Sequence, residues 1–521
     1  MIDMKMKKNL YFVVSLFVGC LLGTASCIDD ESTYGDNSVL LELSGLEDSY
    51  EVVSFSSDLL QINPVVKSSF AESDLEYAWS YYSNASVSNS ASTDTIKADT
   101  ISREKNLSYN PAVTDGSYTL VFTAKSKSTG YRQSISTTFN ASSALSRGFY
   151  VMKETADGNT DLDLYNTRLQ ELIPDVLTKY QGAAMRGKPR CLDVIHQQAY
   201  INEEGKEAAV NTLCVTTEAN EVKWIRALDC TTIFSPENVH YDPVSGEIPY
   251  RTVRGYWEVY YLTSNGVYSA FSGGYGGSGV LGAYDGTGGS VHAVSGGSGA
   301  YYGILYWTNE THSFEVSDYN AGYAPAMSMV DGYDTQNLSH LDCVACGLNR
   351  AAGELIYFLM QERSNPSKKY IYYFDFGFMG ATLTQVRELA ADNDYANASL
   401  RAVNANEATI AYYVKNNKVY TYDLVSDNPD KELTLQGVPS GEQISYISCR
   451  PFYGNNRFSY FIVGTQSGNN YKVYMYETRA GEPINSPVIT FSGEGKLNRI
   501  VYIDPSVSDM TEGAALPILD E

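Results

Sequence analysis

The chain of 521 residues has little positive charge and few of the residues that usually carry catalysis. Its 37 Lys and Arg stand against 61 Asp and Glu, which gives a formal net charge of −24. This balance repels phosphate backbones and anionic lipid surfaces, and so argues against a nucleic-acid partner. Only 5 His and 4 Trp occur. The histidines stand apart without an HExxH motif, and neither GxSxG nor GxxxxGK[ST] is present.

Cysteine is also sparse and offers no disulfide framework. The cysteines after Cys27 are spread widely along the chain without the spacing of a stapled scaffold. The one close pair, Cys343 and Cys346, has the spacing of a redox or zinc half-site, but no second CxxC accompanies it. We therefore expect mostly buried free thiols and predict no metal site. The other cysteines concerned are Cys191, Cys214, Cys230 and Cys449.

An apolar run lies near the N-terminus. Residues 10–22 are too short to span a bilayer comfortably, follow a lysine-rich segment and precede the small residues 23–26. Residues 1–26 are therefore predicted to be an export signal peptide. Cys27 directly after them resembles the lipidated cysteine of a bacterial lipobox, although Thr24 stands where Leu is commonest. The resemblance implies a diacylglycerol anchor on Cys27, with plain secretion as the alternative.

Three acids, Asp29, Asp30 and Glu31, follow Cys27 directly. They resemble the signal that sends Bacteroidetes lipoproteins to the outer face of the outer membrane. The resemblance implies a lipid-anchored protein facing the cell exterior. The acids also suit a solvated tether, residues 27–37, and both interpretations can hold together.

Tyrosine and glycine are abundant, with 43 and 42 residues. Together they indicate short strands, tight turns and an all-β fold. Residues 38–142 show alternating runs around Trp79 and Tyr118 that predict a small β-sandwich. These runs resemble PKD-like and other immunoglobulin-like domains, in which such a Trp fills the space between the sheets. Within the polar stretch 83–100, Thr95 and Thr100 resemble Bacteroidetes O-glycosylation sites, with an unmodified loop as the alternative.

From residue 147 to 521 the sequence becomes a repeat. Aromatic and apolar strand centres recur at intervals of 41 to 63 residues, which predicts β-propeller blades. Seven blades result if the strand at 498–503 pairs beside the strand at 149–151 and closes the ring. A helical insertion is predicted near 167–181, and Asn416–Asn417 and Ser467–Gly468 are predicted to form tight hairpin tips. The centres are Tyr150, Leu213, Tyr260, Tyr306, Tyr357, Tyr412, Phe461 and Tyr502.

One turn in this region resembles a metal-binding loop. Oxygen-bearing residues alternate at Asp157, Asn159, Asp161 and Asp163, as they do in calcium loops. Its glycine is second rather than sixth, and no Glu stands twelve residues from the start. A hairpin turn with a hydrated acidic tip is the favoured interpretation.

A glycine-rich segment, 272–300, interrupts the repeat. Its GxGxxG match has no helix pattern after it, so we interpret it as a long loop rather than a dinucleotide site. Aromatic and imidazole rings in and beside the loop suit stacking on a ligand and are predicted to line a binding mouth, with a mere spacer as the alternative. These residues are Tyr275, Tyr284, His292, Tyr301 and Tyr302.

The lipobox, the single sandwich and a propeller-like region opening at RGFYVMKETADGNTDLDLYN resemble the PKD-like lipoproteins of Bacteroidetes. The resemblance implies a surface accessory to a SusC/SusD-type outer-membrane importer that binds a glycan or peptide, without a cofactor. It maps no catalytic residue. The alternatives are a propeller-fold hydrolase or lyase acting on a polysaccharide, with paired carboxylates or a His–Tyr pair across the channel, and a structural subunit of the transporter.

Overall fold

The computed structural model describes residues 41–54, 59–84, 98–114, 116–242, 244–255, 258–271, 277–282, 284–295, 303–318, 322–377, 380–404, 406–450 and 459–504. The chain is 58% strand and 3% helix, which confirms the all-β prediction. The described part contains no helix that is long and apolar enough to cross a membrane.

The chain divides into two compact units. The first falls within Met1–Glu51, Leu59–Tyr109 and Ser117–Phe139, and the second within Val52–Asp58, Asn110–Gly116 and Asn140–Glu521.

The N-terminal strands form an antiparallel five-stranded sheet, in the order β2-β9-β8-β5-β6, and two strand pairs, β1-β4 and β3-β7. In β8 every second residue is buried, as the pleat of a half-covered strand requires. Trp79 is fully buried, with its ring 4.6 Å from that of Phe122. A short 3₁₀ helix, Glu72–Asp74, precedes β5. The strands are β1 (Leu41–Ser44), β2 (Ser49–Ser54), β3 (Leu60–Ile62), β4 (Val65–Ser68), β5 (Leu75–Ser83), β6 (Asp99–Ser102), β7 (Leu107–Tyr109), β8 (Gly116–Ser126) and β9 (Arg132–Ser143).

The described strands of the second unit form seven sheets that follow one another along the chain, and all but one of their strands pair antiparallel. Sheet 1 contains β10 (Gly148–Glu154), β11 (Thr160–Asn166) and β12 (Glu171–Ile173). Sheet 2 contains β13 (Pro189–Ile201), β14 (Glu207–Thr217), β15 (Val222–Arg226) and β16 (Thr232–Phe234). Sheet 3 contains β17 (Pro249–Arg254), β18 (Glu258–Thr263), β19 (Val267–Phe271) and β20 (Tyr284–Gly286).

Sheet 4 contains β21 (Ala293–Ser295), β22 (Ile304–Thr308), β23 (Ser313–Asp318) and β24 (Gly322–Pro325). Sheet 5 contains β26 (Leu341–Asn349), β27 (Leu355–Glu362), β28 (Lys369–Gly377) and β29 (Gly380–Leu389), to which β25 (Met327–Ser328) adds in parallel. Sheet 6 contains β30 (Arg401–Val403), β31 (Ile410–Lys415), β32 (Lys418–Asp423) and β33 (Lys431–Glu432). Sheet 7 contains β34 (Gln443–Arg450), β35 (Tyr460–Ser467), β36 (Asn470–Arg479), β37 (Glu482–Pro483) and β38 (Ile489–Glu494).

The last strand, β39 (Lys496–Ile503), leaves sheet 7 and joins sheet 1 beside β10. The antiparallel register pairs Phe149 with Tyr502 and Val151 with Ile500. This is the predicted closing strand, and it takes the position that the first strand occupies in the other sheets. Strand exchange of this kind closes a propeller without a covalent link.

Buried apolar clusters join each sheet to the next. They connect sheets 1 and 2, sheets 2 and 3, sheets 3 to 5, sheets 5 and 6, sheets 6 and 7, and finally sheets 7 and 1. Middle strands such as β18 are therefore buried along their whole length, because both faces of the sheet are covered. The ring of contacts shows a propeller-like core, while the exact blade number of seven stays a prediction.

The predicted helix near 167–181 is mostly wrong. Only α1 (Val176–Gln181) is helical, and β12 occupies residues that the prediction made helical. The Asn166 side chain caps a single turn by accepting from the backbone N–H groups of Arg168 and Leu169. Gln170 ends that turn with a left-handed φ of 55°, and the next residues pair with β11. A second short helix, α2 (Asp394–Asn397), follows β29.

The predicted tight turns are confirmed. Asn416 and Asn417 both have positive φ angles, 50° and 60°, at the tip of the β31-β32 hairpin, and Gly468 has 60° after β35. Asn and Gly tolerate this conformation, which two-residue hairpin turns need.

Candidate functional site

The predicted binding mouth lies almost wholly outside the described residues. Tyr275, Tyr301 and Tyr302 fall there, and of Tyr284 only the backbone, at the start of β20, is described. His292 is partly exposed, and its backbone N–H donates to Ser290 Oγ at 3.1 Å. The described residues therefore do not assemble this mouth.

The predictions of lipidation, surface export and O-glycosylation stay untested, because most of their residues also lie outside the described part. All but Thr100 lie outside the described part, and Thr100 is exposed on the edge strand β6. The residues outside are Cys27, Asp29, Asp30, Glu31 and Thr95.

The acidic turn after β10 is a hairpin, as favoured from the sequence. Asp161 caps the start of α1, where its Oδ1 accepts from the Leu177 N–H at 2.9 Å. Asp163 is buried against Lys153 Nζ at 2.6 Å and accepts from Tyr471 Oη at 2.5 Å. These carboxylates are engaged by protein donors, and Asp157 lies exposed, apart from them, in the turn. Within the described part, no three His, Cys, Asp or Glu side chains come together as metal ligands would.

All six cysteines of the described part are free, and five of them are buried, which confirms the predicted free thiols. Cys343 and Cys346 lie on β26, where their thiols contact the carbonyl oxygens of Ala345 at 3.5 Å and Ala293 at 3.8 Å. The pair belongs to the packing of sheet 5.

Buried charges link the first strands of three sheets. On β13, Asp193 Oδ1 lies 2.7 Å from Arg251 Nη2 of β17 and 3.8 Å from Arg499 Nη2 of β39. Arg499 Nη1 also donates to Cys191 Sγ at 3.0 Å. These side chains are almost fully excluded from solvent. The cluster therefore connects sheets 1, 2 and 3 and is not accessible to a substrate.

A His–Tyr pair does exist, but it lies between neighbouring sheets. His240 Nε2 lies 3.1 Å from Glu247 Oε1, and the imidazole is 4.5 Å from the ring of Tyr268. The His240 side chain is only 2% exposed. This pair packs between sheets 2 and 3 and offers no surface for a polymeric substrate.

A cavity of about 300 Å³ opens at the junction of sheets 1 and 7, where β39 closes the ring. It lies at the end of β34, β11 and β39 and at the start of β10, β35 and β38. The wall combines aromatic, apolar, amide and charged groups, which is the usual composition of a small-ligand site. The lining residues are Phe149, Tyr165, Thr167, Gln170, Arg450, Tyr460, Val488, Ile489, Tyr502 and Asp504.

Aromatic rings form one side of this seam cavity. The ring of Phe149 lies 4.8 Å from that of Tyr502 and 6.0 Å from that of Tyr460. Tyr165 stacks on Phe491 of β38 at 4.5 Å, so both sheets supply rings. Gly148 permits this packing, because a Cβ at that position would lie 2.2 Å from the Tyr165 carbonyl oxygen.

An arginine and a carboxylate form the polar side. The Arg450 guanidinium lies over the Tyr502 ring, 3.9 Å from its centre. Tyr502 Oη donates to Asp504 Oδ2 at 3.0 Å, and Asp504 Oδ1 lies 3.4 Å from Arg147 Nη2. Burial, followed by the charge of Asp504, raises the pKa of Tyr502 to about 12. Burial also raises the pKa of Tyr460 and of Tyr165.

The sequence pointed to part of this site without recognising it. Predicted closure by 498–503 placed the strand that contains Tyr502 beside the strand that contains Phe149, without a register. Arg450, Tyr460 and Ile489 come from three other strands of sheet 7, and their meeting depends on how two sheets pack. No short-range spacing could signal that.

Comparisons with known proteins bear on the N-terminal part. Residues 27–189 match the model of the PKD-like family. The match supports the resemblance drawn from Trp79, Tyr118 and the opening of the repeat. It covers the sandwich and the beginning of the propeller-like unit, and it assigns no residue to a site. No curated protein matches the sequence.

Similar solved structures are distant in sequence. A quinoprotein alcohol dehydrogenase-like protein from Bacteroides thetaiotaomicron is 13% identical, with 87% of this chain and 96% of that chain covered and a TM-score of 0.38. A DUF4784 family protein from Bacteroides caccae is 8% identical, with 76% and 95% covered and a TM-score of 0.29. The WD40 domain of SCAP from fission yeast is 10% identical, with 68% and 74% covered and a TM-score of 0.22. At these scores the propeller-like assignment rests on the strand order and the closing strand of this chain itself.

Proposed function

We propose that this protein is a lipid-anchored protein of the outer membrane, facing the cell exterior, that captures a small nutrient ligand in the seam cavity for a SusC/SusD-type importer. One observation carries the binding role: a concave site lined by four aromatic rings and a few placed polar groups, with a volume of about 300 Å³. A pocket of this size suits one or two sugar or amino-acid residues.

The composition of the cavity favours binding over catalysis. Among the described lining residues the charged groups are Arg450 and Asp504, and both lie against Tyr502. The described part of the wall contains no pair of carboxylates and no imidazole that could act as general acid and base. Rings that present flat faces and hydroxyls instead suit stacking on a sugar or on an apolar side chain.

The binding role is tested with the double variant Tyr165→Ala, Gln170→Ala. Calorimetry with purified wild-type protein, over soluble oligosaccharides and dipeptides, identifies a bound probe. We expect the variant to fold and to lose at least about tenfold in affinity, because it loses a stacking face and an amide of the wall.

Tyr420→Ala provides the matched control. Tyr420 is also a stacked tyrosine, 5.5 Å from Tyr413 in sheet 6, but it does not line the cavity. If the double variant binds the probe as tightly as the control does, capture in the cavity is disproved. The variant Tyr275→Ala, Tyr284→Ala then tests the glycine-rich segment as the competing location.

The anchor is supported by the lipobox-like sequence at Cys27. Cys27→Ala is expected to move the protein from the membrane fraction to the soluble fraction, because the acyl chains hold it. Retention of the variant in the membrane would contradict lipidation. Replacing Asp29, Asp30 and Glu31 by Ala is expected to keep acylation but to reduce protease shaving of whole cells, and unchanged shaving would make the acids a tether only.

Association with an importer is tested separately. Cross-linking in intact cells followed by mass spectrometry is expected to recover a SusC/SusD-type pair. Recovery of that pair with a protein that binds no ligand would favour the alternative role of a structural subunit.

A further inference from the structure

We propose that Lys153 and Asp163 condense into an amide bond that cross-links β10 to β11, with Asp175 moving the protons. The proposal goes beyond ligand capture and concerns a covalent modification that the protein makes in itself. It follows from the contacts of one buried lysine with two carboxylates and from the donors around them.

The amine and the carboxyl group are held in contact inside the protein. Lys153 Nζ lies 2.6 Å from Asp163 Oδ1, and the two side chains are 3% and 0% exposed. Because Oδ1 is bonded to the carboxyl carbon, Nζ is already close to the atom that it attacks. Such contact replaces a bimolecular encounter, and burial excludes the bulk water that would otherwise solvate both groups.

Two donors act on the Asp163 carboxyl group. The backbone N–H of Asp175 donates to Oδ1 at 2.8 Å, and Tyr471 Oη donates to Oδ2 at 2.5 Å. Donors at both oxygens stabilise the negative charge that develops there when nitrogen adds to the carbon. Gly493 leaves room for this arrangement, because a Cβ at that position would lie 2.7 Å from Asp163 Oδ2.

Asp175 is placed to move protons. Its Oδ1 lies 2.8 Å from Lys153 Nζ, within the reach that a general base requires, and 55% of its side chain is exposed to solvent. Its backbone is left-handed, with a φ of 51°, which is uncommon for a residue other than glycine. In this conformation its N–H contacts the carboxyl group and its carboxylate contacts the amine.

The resting pair is ionic, and the amine becomes a nucleophile after one proton transfer. Burial raises the pKa of Asp163 and works against the charge of Lys153, but Asp163 and Asp175 outweigh burial and raise the pKa of the lysine. Asp175 takes the first proton from Nζ along their contact. Its exposed carboxyl group exchanges that proton with water, which leaves a neutral amine against the buried carboxyl group.

The condensation balances without an added reagent. The lysine ammonium loses two protons, its nitrogen forms a bond to the Asp163 carboxyl carbon, and the bond from that carbon to Oδ1 breaks. Oδ1 takes two protons through Asp175 and leaves as water. Oδ2 remains as the amide carbonyl oxygen and still accepts from Tyr471 Oη. Nothing is oxidised or reduced.

Tryptic mapping of the purified protein by mass spectrometry tests the bond. Trypsin cleaves after Lys153 when its side chain is an amine and releases residues 148–153 and 154–168 as separate peptides. Trypsin does not cleave after an acylated lysine. We therefore expect a single peptide, 148–168, that is lighter than its calculated mass by one water. Two separate peptides of full mass would overturn the proposal.

A second route to the loss of one water is distinguished by the same digest. A cyclic imide at Asp157–Gly158 would also remove one water, but trypsin would still cleave after Lys153. A cleaved and dehydrated peptide would therefore overturn the cross-link.

An exposed lysine–aspartate pair provides the internal control. Lys415 Nζ lies 2.5 Å from Asp394 Oδ2, but the two side chains are 45% and 39% exposed. Because water solvates both groups, we expect normal cleavage after Lys415. Equal protection of both lysines would overturn the role assigned to burial.

A variant of Asp175 tests the proton transfer. Asn tolerates the left-handed backbone but cannot act as a base, so we expect Asp175→Asn to slow cross-linking, followed after refolding, by at least about tenfold. Asp394→Asn is the matched control and should leave the rate unchanged. Thermal melting verifies that both variants fold. Cross-linking of folded Asp175→Asn at the wild-type rate would overturn proton transfer by Asp175.

Discussion

Two junctions between propeller sheets are rich in aromatic rings, and a cavity lined by described residues borders the rings of one of them. Between sheets 2 and 3, Trp224 packs 4.8 Å from Tyr261, and His240 packs 4.5 Å from Tyr268, with all four side chains buried. Between sheets 1 and 7, the rings around Phe149 border a cavity of about 300 Å³. Aromatic content alone therefore does not identify a binding site.

The junctions also differ in how the chain connects them. Sheets 2 and 3 are consecutive in sequence, whereas sheets 1 and 7 are joined by β39, which arrives from the other end of the unit. Tyr471 of sheet 7 adds a polar link to Asp163 of sheet 1. A ligand in the seam cavity would contact both sheets, so binding and closure are expected to stabilise each other.

The largest expected effect comes from removing the closing strand. A chain that stops before Asn498 loses Ile500 and Ile503, both buried, and leaves β10 with an unpaired edge. Each such side chain contributes about 2–5 kcal/mol, so we expect the cooperative melt of the second unit to be lost. A chain that stops after Asp504 is the control. A melt unchanged by the shorter truncation would disprove closure by β39.

A substitution at the junction of sheets 2 and 3 is expected to lower the stability of the protein without changing its affinity for a ligand. Trp224→Ala leaves a large void among packed rings and should cost about 3–5 kcal/mol in the free energy of unfolding, measured by denaturant titration. Its affinity for a ligand of the seam cavity should stay unchanged. A variant that folds but no longer binds would show that the two junctions are coupled.

The polar link across the seam should have a smaller effect. Tyr471→Phe removes the donor to Asp163, whose side chain is completely buried, so we expect a loss of about 1–3 kcal/mol. Tyr420→Phe is the control, because it breaks a similar bond to Glu432 in an exposed position and should cost less than about 0.5 kcal/mol. Equal losses in the two variants would show that burial does not govern the strength of this link.

The sequence predicted the features of the fold that depend on a local pattern of residues. Alternation around Trp79 indicated a sandwich, regular spacing indicated the repeat, and Asn416 with Asn417 indicated a hairpin tip. The helix near 167–181 was mostly wrong because its first turn ends at Gln170 and residues 171–173 pair with β11, which helical periodicity does not reveal. The seam cavity depends on the fit of two sheets distant in the chain, and a single sequence carries no signal for such a gap.

The smallest expected effect is a pH dependence of the unfolding free energy that arises at the junction of sheets 1 and 7. The pKa of Tyr502 is raised to about 12, by burial first and then by Asp504, so the folded protein keeps this proton at pH values where the unfolded chain loses it. The stability that this group contributes is full below about pH 10, falls between about pH 10 and 12, and changes no further above that. Tyr502→Phe removes the ionisation, while all other tyrosines titrate equally in both proteins. We therefore expect the difference in unfolding free energy between wild type and variant to be constant from about pH 7 to 9 and to shift by on the order of 1 kcal/mol above about pH 10. Parallel stability curves over the whole pH range would show that the Tyr502 hydroxyl is solvated in the cavity, in contrast to the buried side chains between sheets 2 and 3.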